Sequence, residues 1–79
     1  MLARRLSSSL IERIALDEEA HTLCVAFRSG RRYIYEGVPR TPYEAFKRAP
    51  SAGIFFNQEV KGRFPCREEP TRRRYPLDA

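Results

Sequence analysis

Cysteine and histidine are scarce in this 79-residue chain. The two cysteines, Cys24 and Cys66, have no CxxC spacing and are too few for a framework of several disulfides, which is typical of a reducing compartment. The single histidine, His21, is predicted to be a turn residue and not a metal ligand or a catalytic base. Because no nucleophile can be paired with a base, we expect a non-catalytic protein without a metal or another cofactor.

Long apolar segments are absent as well. The longest unbroken apolar run covers only residues 23–27, far short of the about 20 residues that a membrane helix needs. Near the N-terminus, three serines, Ser7, Ser8 and Ser9, separate the apolar residues, so no apolar stretch has the length found in a signal peptide. We therefore expect a cytoplasmic protein that has no membrane partner.

The length of the chain limits the architecture to one small domain. A chain of this size buries only about 60% of the surface that its unfolded form exposes, which leaves little room for a deep pocket. Lys and Arg number 15 against 10 Asp and Glu, so the net charge is +5 and the pI is near 9.8. This excess favours an anionic partner through long-range attraction, and it predicts no particular oligomeric state.

Three segments in the first half of the chain have the patterns of β-strands. Residues 22–28 alternate apolar and small side chains, residues 10–16 carry isoleucines among charged residues, and residues 31–38 carry an aromatic run. Ser29-Gly30 is a turn signal between the second and the third segment. The pattern predicts a three-stranded antiparallel meander.

The length of the hairpin loop decides which way the two tyrosines of the third strand point. A three-residue loop over residues 28–30, with glycine in the left-handed bulge position, pairs Val25 with Tyr33 and Leu23 with Tyr35. Both rings then join the core, with their hydroxyls at its rim. We favour this register because Ser-Gly fits a two-residue turn poorly.

A two-residue loop is the alternative register. It places Ile34 beside Val25 and leaves Tyr33 and Tyr35 on the opposite face of the sheet. On that face the two rings could stack on unpaired nucleic-acid bases.

Two short helices are predicted after the strands. Thr41, followed by Pro42 and by Glu44 three residues later, forms a capping box that begins the first helix, and Pro50 ends it. Ser51 offers a second N-cap, and the helix that follows ends near Gly62. Such short helices are unstable alone and must cover one face of the sheet. The predicted fold is therefore α+β, with a three-stranded antiparallel meander and two short C-terminal helices packed on one face.

The ends of the chain are expected to lie outside the folded domain. Residues 66–79 contain two prolines, an arginine run and one large aliphatic residue, so they can bury little surface. We expect a mobile N-terminus over residues 1–6, a domain over residues 7–65 and a mobile basic tail over residues 66–79.

Several short motifs, taken in chain order, resemble one known family. They are Ser7-Ser8-Ser9-Leu10-Ile11, the hairpin with Leu23, Val25, Phe27 and Gly30, Tyr33-Ile34-Tyr35, Gly37-Val38-Pro39, and Ala49-Pro50-Ser51-Ala52-Gly53 followed by Phe56-Asn57. The chain resembles a KTSC domain over roughly residues 7–65, with Leu16 and Phe64 where tyrosines are expected. That family occurs at the C-terminus of some lysyl-tRNA synthetases and as small free-standing bacterial proteins. The resemblance implies no catalytic activity and suggests RNA or tRNA as a partner.

The basic residues of the second hairpin are the main candidate site. Arg28, Arg31 and Arg32 flank one turn and the acidic residues 17–19 occupy the other, so we expect a sheet that is basic at one end and acidic at the other. The candidate residues for nucleic-acid binding are Arg28, Arg31, Arg32, Tyr33, Tyr35, Asn57, Lys61 and Arg63.

Each candidate also has a purely structural interpretation. Charged turns are commonly just solvated, and Lys61 and Arg63 would complement a helix dipole without any ligand. Asn57 could bond to backbone, and residues 51–53 could either bind a phosphate or merely cap a helix. The leading hypothesis is an RNA-binding module, and the alternative is a protein interaction module that uses the uncovered sheet face or the tail.

Overall fold

An antiparallel sheet of five strands forms the centre of the fold in the computed structural model, which describes residues 2–69. The strands are β1 (Leu2–Arg5), β2 (Ile11–Asp17), β3 (Thr22–Phe27), β4 (Arg32–Glu36) and β5 (Cys66–Glu69). The helices are α1 (Arg40–Arg48) and α2 (Ala52–Phe55), and α2 continues as a π segment over Phe56–Val60. The spatial order is β1-β2-β3-β4-β5, so each strand pairs with its neighbour in the chain.

The prediction of an α+β domain is confirmed, but the prediction of three strands is wrong. The additional strands β1 and β5 lie at the two edges of the sheet, outside the expected domain boundaries of residues 7–65. Their sequences, LARR and CREE, show no apolar alternation. An edge strand pairs on one side only and commonly carries charged side chains, so its pattern does not reveal it. The rest of the expected tail, with Arg72, Arg73 and Arg74, lies outside the described residues.

The second hairpin has the register that a three-residue loop predicts. Val25 pairs with Tyr33 and Leu23 pairs with Tyr35. The Phe27 amide donates to the Arg31 carbonyl at 2.9 Å and closes the loop. Gly30 has a φ of +99°, which is the left-handed conformation required at the bulge position.

The core lies between one face of the sheet and the helices. Alternate residues of β2, β3 and β4 point into it, and the helical layer contributes aromatic and β-branched side chains. The buried residues are Leu6, Ile11, Ile14, Leu16, Leu23, Val25, Ala26, Tyr35, Val38, Tyr43, Phe46, Phe56 and Val60. Ala26 differs from the rest because it lies on the other sheet face. The face turned away from the helices is otherwise uncovered in the described part of the chain.

The start of α1 differs from the prediction. The helix begins at Arg40, one residue earlier than expected, and Thr41 does not cap it, since Pro39 occupies the N-cap position without a side-chain bond. Glu44 pairs instead with the Arg40 Nε at 3.1 Å and the Lys47 Nζ at 3.0 Å. Pro42 lies in the first turn, where a backbone N–H has no acceptor within the helix, so the helix can begin before this proline.

The second helical segment begins and ends as predicted. The Ser51 Oγ accepts a hydrogen bond from the Ile54 amide at 3.3 Å and caps α2. The Lys61 amide donates to the Phe56 carbonyl at 2.8 Å, the i to i+5 spacing of a π turn, and Gly62 follows with a φ of +78°. Among the described residues, no helix has the length and apolar character to cross a membrane.

Candidate functional site

Arg28 is engaged in holding the fold together. Its Nε donates to the Ser8 carbonyl at 2.8 Å and its Nη2 donates to the Leu6 carbonyl at 3.2 Å. The side chain thus fastens the connection between β1 and β2 to the hairpin of β3 and β4. Two of its donor groups are therefore unavailable to a ligand.

Arg31 and Arg32 lie on opposite faces of the sheet. Arg31 is on the helix side, where a hydrogen bond with the Tyr33 side chain and the charge of Glu68 raise the pKa of Arg31 above its ordinary value. Arg32 pairs in register with Ala26 on the uncovered face. The three hairpin arginines are therefore neighbours in sequence but do not form one patch.

A row of arginines crosses the uncovered face of the sheet. Arg5 pairs with Arg13, Arg13 pairs with Ala26, and Ala26 pairs with Arg32. Residues directly opposite in antiparallel strands share a face, so the three side chains project from the same side. Ala26 is only 7% exposed on this otherwise uncovered face. We attribute this to the apolar stems of Arg13 and Arg32, which flank it. We name Arg5, Arg13 and Arg32 the arginine row.

The pKa of the half-buried Cys24 thiol is affected by the charges around the arginine row. Burial raises the pKa of the Cys24 thiol, and the Glu69 carboxylate raises it further, while the charges of Arg32 and Arg13 lower it. Glu69 pairs in register with Arg32 at the β5 edge, and its Oε1 lies 4.0 Å from the Cys24 Sγ. One carboxylate therefore stands at the end of the row and opposes the binding of an anion there.

The opposite end of the uncovered face is acidic. Asp17 pairs with Thr22, and Thr22 pairs with Glu36. Glu36 in turn lies 3.4 Å from the Arg67 Nε. The expected polarity of the sheet, with a basic and an acidic end, is therefore confirmed, although residues of β1 and β2 contribute to the basic end. His21, with a φ of 56°, lies in the acidic turn as predicted.

Both tyrosines of β4 face the helices and not the uncovered face. Tyr35 is 3% exposed and Tyr33 is half-buried against the core. Burial, together with the neighbouring Cys66, raises the pKa of Tyr35 to about 12. Neither ring can therefore stack on a base that lies along the arginine row.

A cavity of about 290 Å³ opens on the helix side of the same hairpin. We name it the aromatic cavity. Its lining residues are Phe27, Ser29, Arg31, Tyr33, Tyr35, Phe56 and Lys61. The structure thus brings together four of the candidate residues from two distant stretches of the chain, namely the hairpin and the end of the π segment.

The remaining candidate residues lie on the helical layer. Asn57 and Arg63 are exposed, and no side-chain hydrogen bond of Asn57 is found within residues 2–69. Arg63 lines a shallow groove beside Phe55 and Phe64, away from the aromatic cavity. These two residues therefore do not join either the arginine row or the cavity.

A polar groove of about 430 Å³ separates the serine-rich connection, residues 7–9, from the start of α2. Arg4, Arg5 and Lys47 also line it. The Ser51 hydroxyl in this groove already caps α2, and Lys47 is paired with Glu44. The groove extends the basic surface around β1. Within the described residues, no group of three His, Cys, Asp or Glu side chains could hold a metal ion.

Sequence reasoning missed Arg5 and Arg13 as site residues. Strand pairing brings Arg5 and Arg13 into line with Arg32, so the signal is the position of each arginine within its strand. Using this signal requires that β1 is recognised and that the bulge between Ile11 and Arg13 is placed, because the bulge shifts the pairing of β2 with β3.

The model of the KTSC domain family matches residues 7–64 of this chain. The chain belongs to the KTSC domain family. The crystal structure of a KTSC domain protein from Yersinia pestis matches it with a TM-score of 0.82 and 36% identity, covering 87% of this chain and 97% of that one. The matched range of this KTSC domain excludes β1 and β5. Leu16 and Phe64, where tyrosines were expected, both pack in or against the core.

Two similar proteins show the contexts in which KTSC domains occur. A lysine–tRNA ligase of Nostoc punctiforme (strain ATCC 29133 / PCC 73102) is 38% identical over 56 residues, which are 71% of this chain and 10% of the ligase. An uncharacterized protein of Stutzerimonas stutzeri (strain A1501) is 41% identical over 56 residues, which are 71% of this chain and 79% of that protein. This KTSC domain thus spans about a tenth of the length of the ligase.

Proposed function

We propose that this KTSC domain is a non-catalytic module that binds single-stranded RNA through the arginine row. The single observation that carries the proposal is the alignment of Arg5, Arg13 and Arg32 on one uncovered sheet face. Arginine has a rigid fork of donors that matches the geometry of phosphate oxygens. Three such forks on one face offer three contacts to a phosphate backbone.

The spacing of the arginine row suits an extended strand of nucleic acid. Adjacent β-strands lie about 4.8 Å apart, so Arg5 and Arg13 are one strand spacing apart and Arg13 and Arg32 are two. The row therefore extends roughly 15 Å across the sheet, and the flexible side chains lengthen its reach. This span accommodates several successive phosphates.

The chemistry of the row favours binding without sequence selectivity. None of the residues that pair along it is aromatic, and phosphate contacts position a nucleic acid without reading its bases. RNA is the preferred anionic polymer because a relative carrying this domain is a lysine–tRNA ligase. The match covers only 10% of that protein, so the proposal does not extend to the ligase activity.

The proposal is tested by fluorescence anisotropy with a labelled oligouridylate of about ten nucleotides, a length within the usual site size for such binding. Three phosphate contacts predict that log affinity falls with log salt at a slope of about −2, since each contact on a single strand contributes about −0.7. Arg13→Glu combined with Arg32→Glu should lower the affinity about tenfold or more and bring the slope to about −0.7.

The matched control is Arg63→Glu on the helical layer, which makes the same charge change as either single variant, Arg13→Glu or Arg32→Glu. Arg63→Glu should lower the affinity less than twofold, and less than the single variant Arg32→Glu does. Circular dichroism verifies that each variant is folded. If the wild-type domain binds no oligouridylate at low salt, or if Arg63→Glu weakens binding as much as Arg32→Glu, the arginine row is not an RNA site.

A protein partner is the second candidate, favoured by the middle of the same face. Between the basic and the acidic end, Ala3 pairs with Ala15, Ala15 with Cys24 and Cys24 with Ile34. A strip of small apolar side chains between opposite charges is suited to docking a polypeptide. This candidate would be favoured if the domain binds no RNA and forms a stable complex with a polypeptide that the substitution Ala15→Arg abolishes.

A further inference from the structure

The aromatic cavity lies on the helix side of the sheet, opposite the arginine row, and so requires a function of its own. Its walls are the rings of Phe27, Tyr33, Tyr35 and Phe56. Arg31 and Lys61 stand at its rim with Ser29. We propose that this cavity binds a small molecule composed of one planar aromatic ring and a negatively charged group.

The aromatic side chains that line the cavity are arranged to accept an aromatic ring. Phe27 meets Tyr33 edge to face with centroids 5.7 Å apart, and it meets Phe56 in the same way at 5.3 Å. Phe56 continues the series to Tyr35 at 5.8 Å. Because Phe27 and Tyr33 are only half-buried, their rings remain partly open toward the cavity. An inserted aromatic ring would extend this edge-to-face series.

The two cations at the rim of the cavity, Arg31 and Lys61, indicate a negatively charged ligand. The described residues place no carboxylate within 4.0 Å of the Arg31 guanidinium or the Lys61 ammonium group. Glu68 is the nearest carboxylate in register, opposite Tyr33 at the sheet edge, and it acts on Arg31 from outside the cavity. Two cations beside an apolar cavity complement an aromatic anion and oppose an aromatic cation.

The size of the cavity limits the ligand to a small one. Ligand pockets usually range from about 300 to 1,000 Å³, so a cavity of about 290 Å³ is at the lower end. A single ring with a carboxylate or a phosphate group fits this size. An aromatic carboxylate and a pyrimidine mononucleotide share this chemistry, and separate probes distinguish them.

The experiment is an NMR titration of the full chain with benzoate and with uridine 5′-monophosphate. Cyclohexanecarboxylate has the charge without the aromatic ring, and uridine has the ring without the charge. Benzoate or the nucleotide should shift the ring protons of Phe27 and Tyr33 and the amide of Lys61, with an affinity at least threefold above its matched control. Whichever of the two binds more tightly identifies the source of the aromatic anion.

The variant Arg31→Gln with Lys61→Gln should weaken binding of the preferred probe about tenfold, since each exposed cation contributes up to about fivefold. Both residues are exposed, so the fold should persist, and Arg63→Gln is the matched control with unchanged binding. The proposal is overturned if neither anion binds, if the controls bind equally well, or if the double variant binds as the wild type does. These outcomes are independent of the RNA experiment, which reverses charges on the other face.

Discussion

Replacing Arg28 by alanine tests whether this residue is a structural clamp or a ligand contact. The change removes two hydrogen bonds from a charged donor, to the carbonyls of Ser8 and Leu6 at 2.8 and 3.2 Å. Bonds with a charged partner contribute about 1.5–3 kcal/mol each where water is excluded. Because Arg28 is exposed, we expect a smaller total loss of about 1–2 kcal/mol in the free energy of unfolding.

The assay is urea denaturation together with thermal melting. In a domain of this length, 1 kcal/mol corresponds to about 4–8 °C, so the Tm should fall by about 4–16 °C. Arg63→Ala removes an exposed arginine without such bonds and should change stability by less than about 0.5 kcal/mol. Arg28→Lys keeps the charge but loses the planar fork, so it should restore only part of the stability.

Equal stability of Arg28→Ala and Arg63→Ala would refute the clamp. The folded Arg28→Ala protein should also bind oligouridylate with nearly wild-type affinity, since the arginine row does not include this residue. A large loss of RNA affinity with unchanged stability would instead indicate that Arg28 contacts the RNA.

Four further predictions follow from the fold and its charges. Ser51→Ala should lose about 1 kcal/mol of stability in urea, whereas Thr41→Ala should lose less than about 0.5 kcal/mol, because only the serine caps a helix; equal losses would contradict this. The phenol of Tyr35 has a pKa of about 12 in the folded protein against 10.0 ordinarily, so its contribution to stability is complete below pH 10 and is lost as the pH rises to about 12. The urea midpoint should therefore fall over this pH range, and it should fall less in Tyr35→Phe. Identical pH profiles of the two proteins would refute this prediction. Glu69→Gln removes the carboxylate at the end of the arginine row and should strengthen oligouridylate binding about two- to fivefold, an effect absent if RNA binds elsewhere. Truncation after Pro65 deletes β5 and should lower the urea midpoint well below that of a chain truncated after Glu69; equal midpoints would mean that β5 is dispensable.

The sequence predicted the features that depend on local backbone chemistry. Gly30 supplies a positive φ, so the loop length and the register of the hairpin could be inferred from three residues. Pro50 and Ser51 mark the end of one helix and the start of the next for equally local reasons. These signals operate within a few residues, where sequence patterns are most informative.

The features that were missed depend on distant pairing. The strands β1 and β5 are held by backbone bonds to a neighbour, and their charged side chains carry no strand pattern. The arginine row could not be predicted because its members come from three strands, and one of these strands was not expected. The aromatic cavity likewise joins the hairpin to Lys61, which only the packing of the helical layer brings near.

The π segment makes the position of Lys61 depend on the number of residues before it. The i to i+5 bond between the Phe56 carbonyl and the Lys61 amide gives this turn one residue more than an α-helical turn. If the same residues wound as an ordinary α-helix, everything after the segment would be rotated by about 100°, whereas deleting one residue and closing the turn as an α-helix would leave Lys61 facing in about the same direction. A relative with one residue fewer at this turn could therefore have an ordinary α-helix and still hold a cation at the aromatic cavity, so a one-residue gap at this turn is compatible with ligand binding.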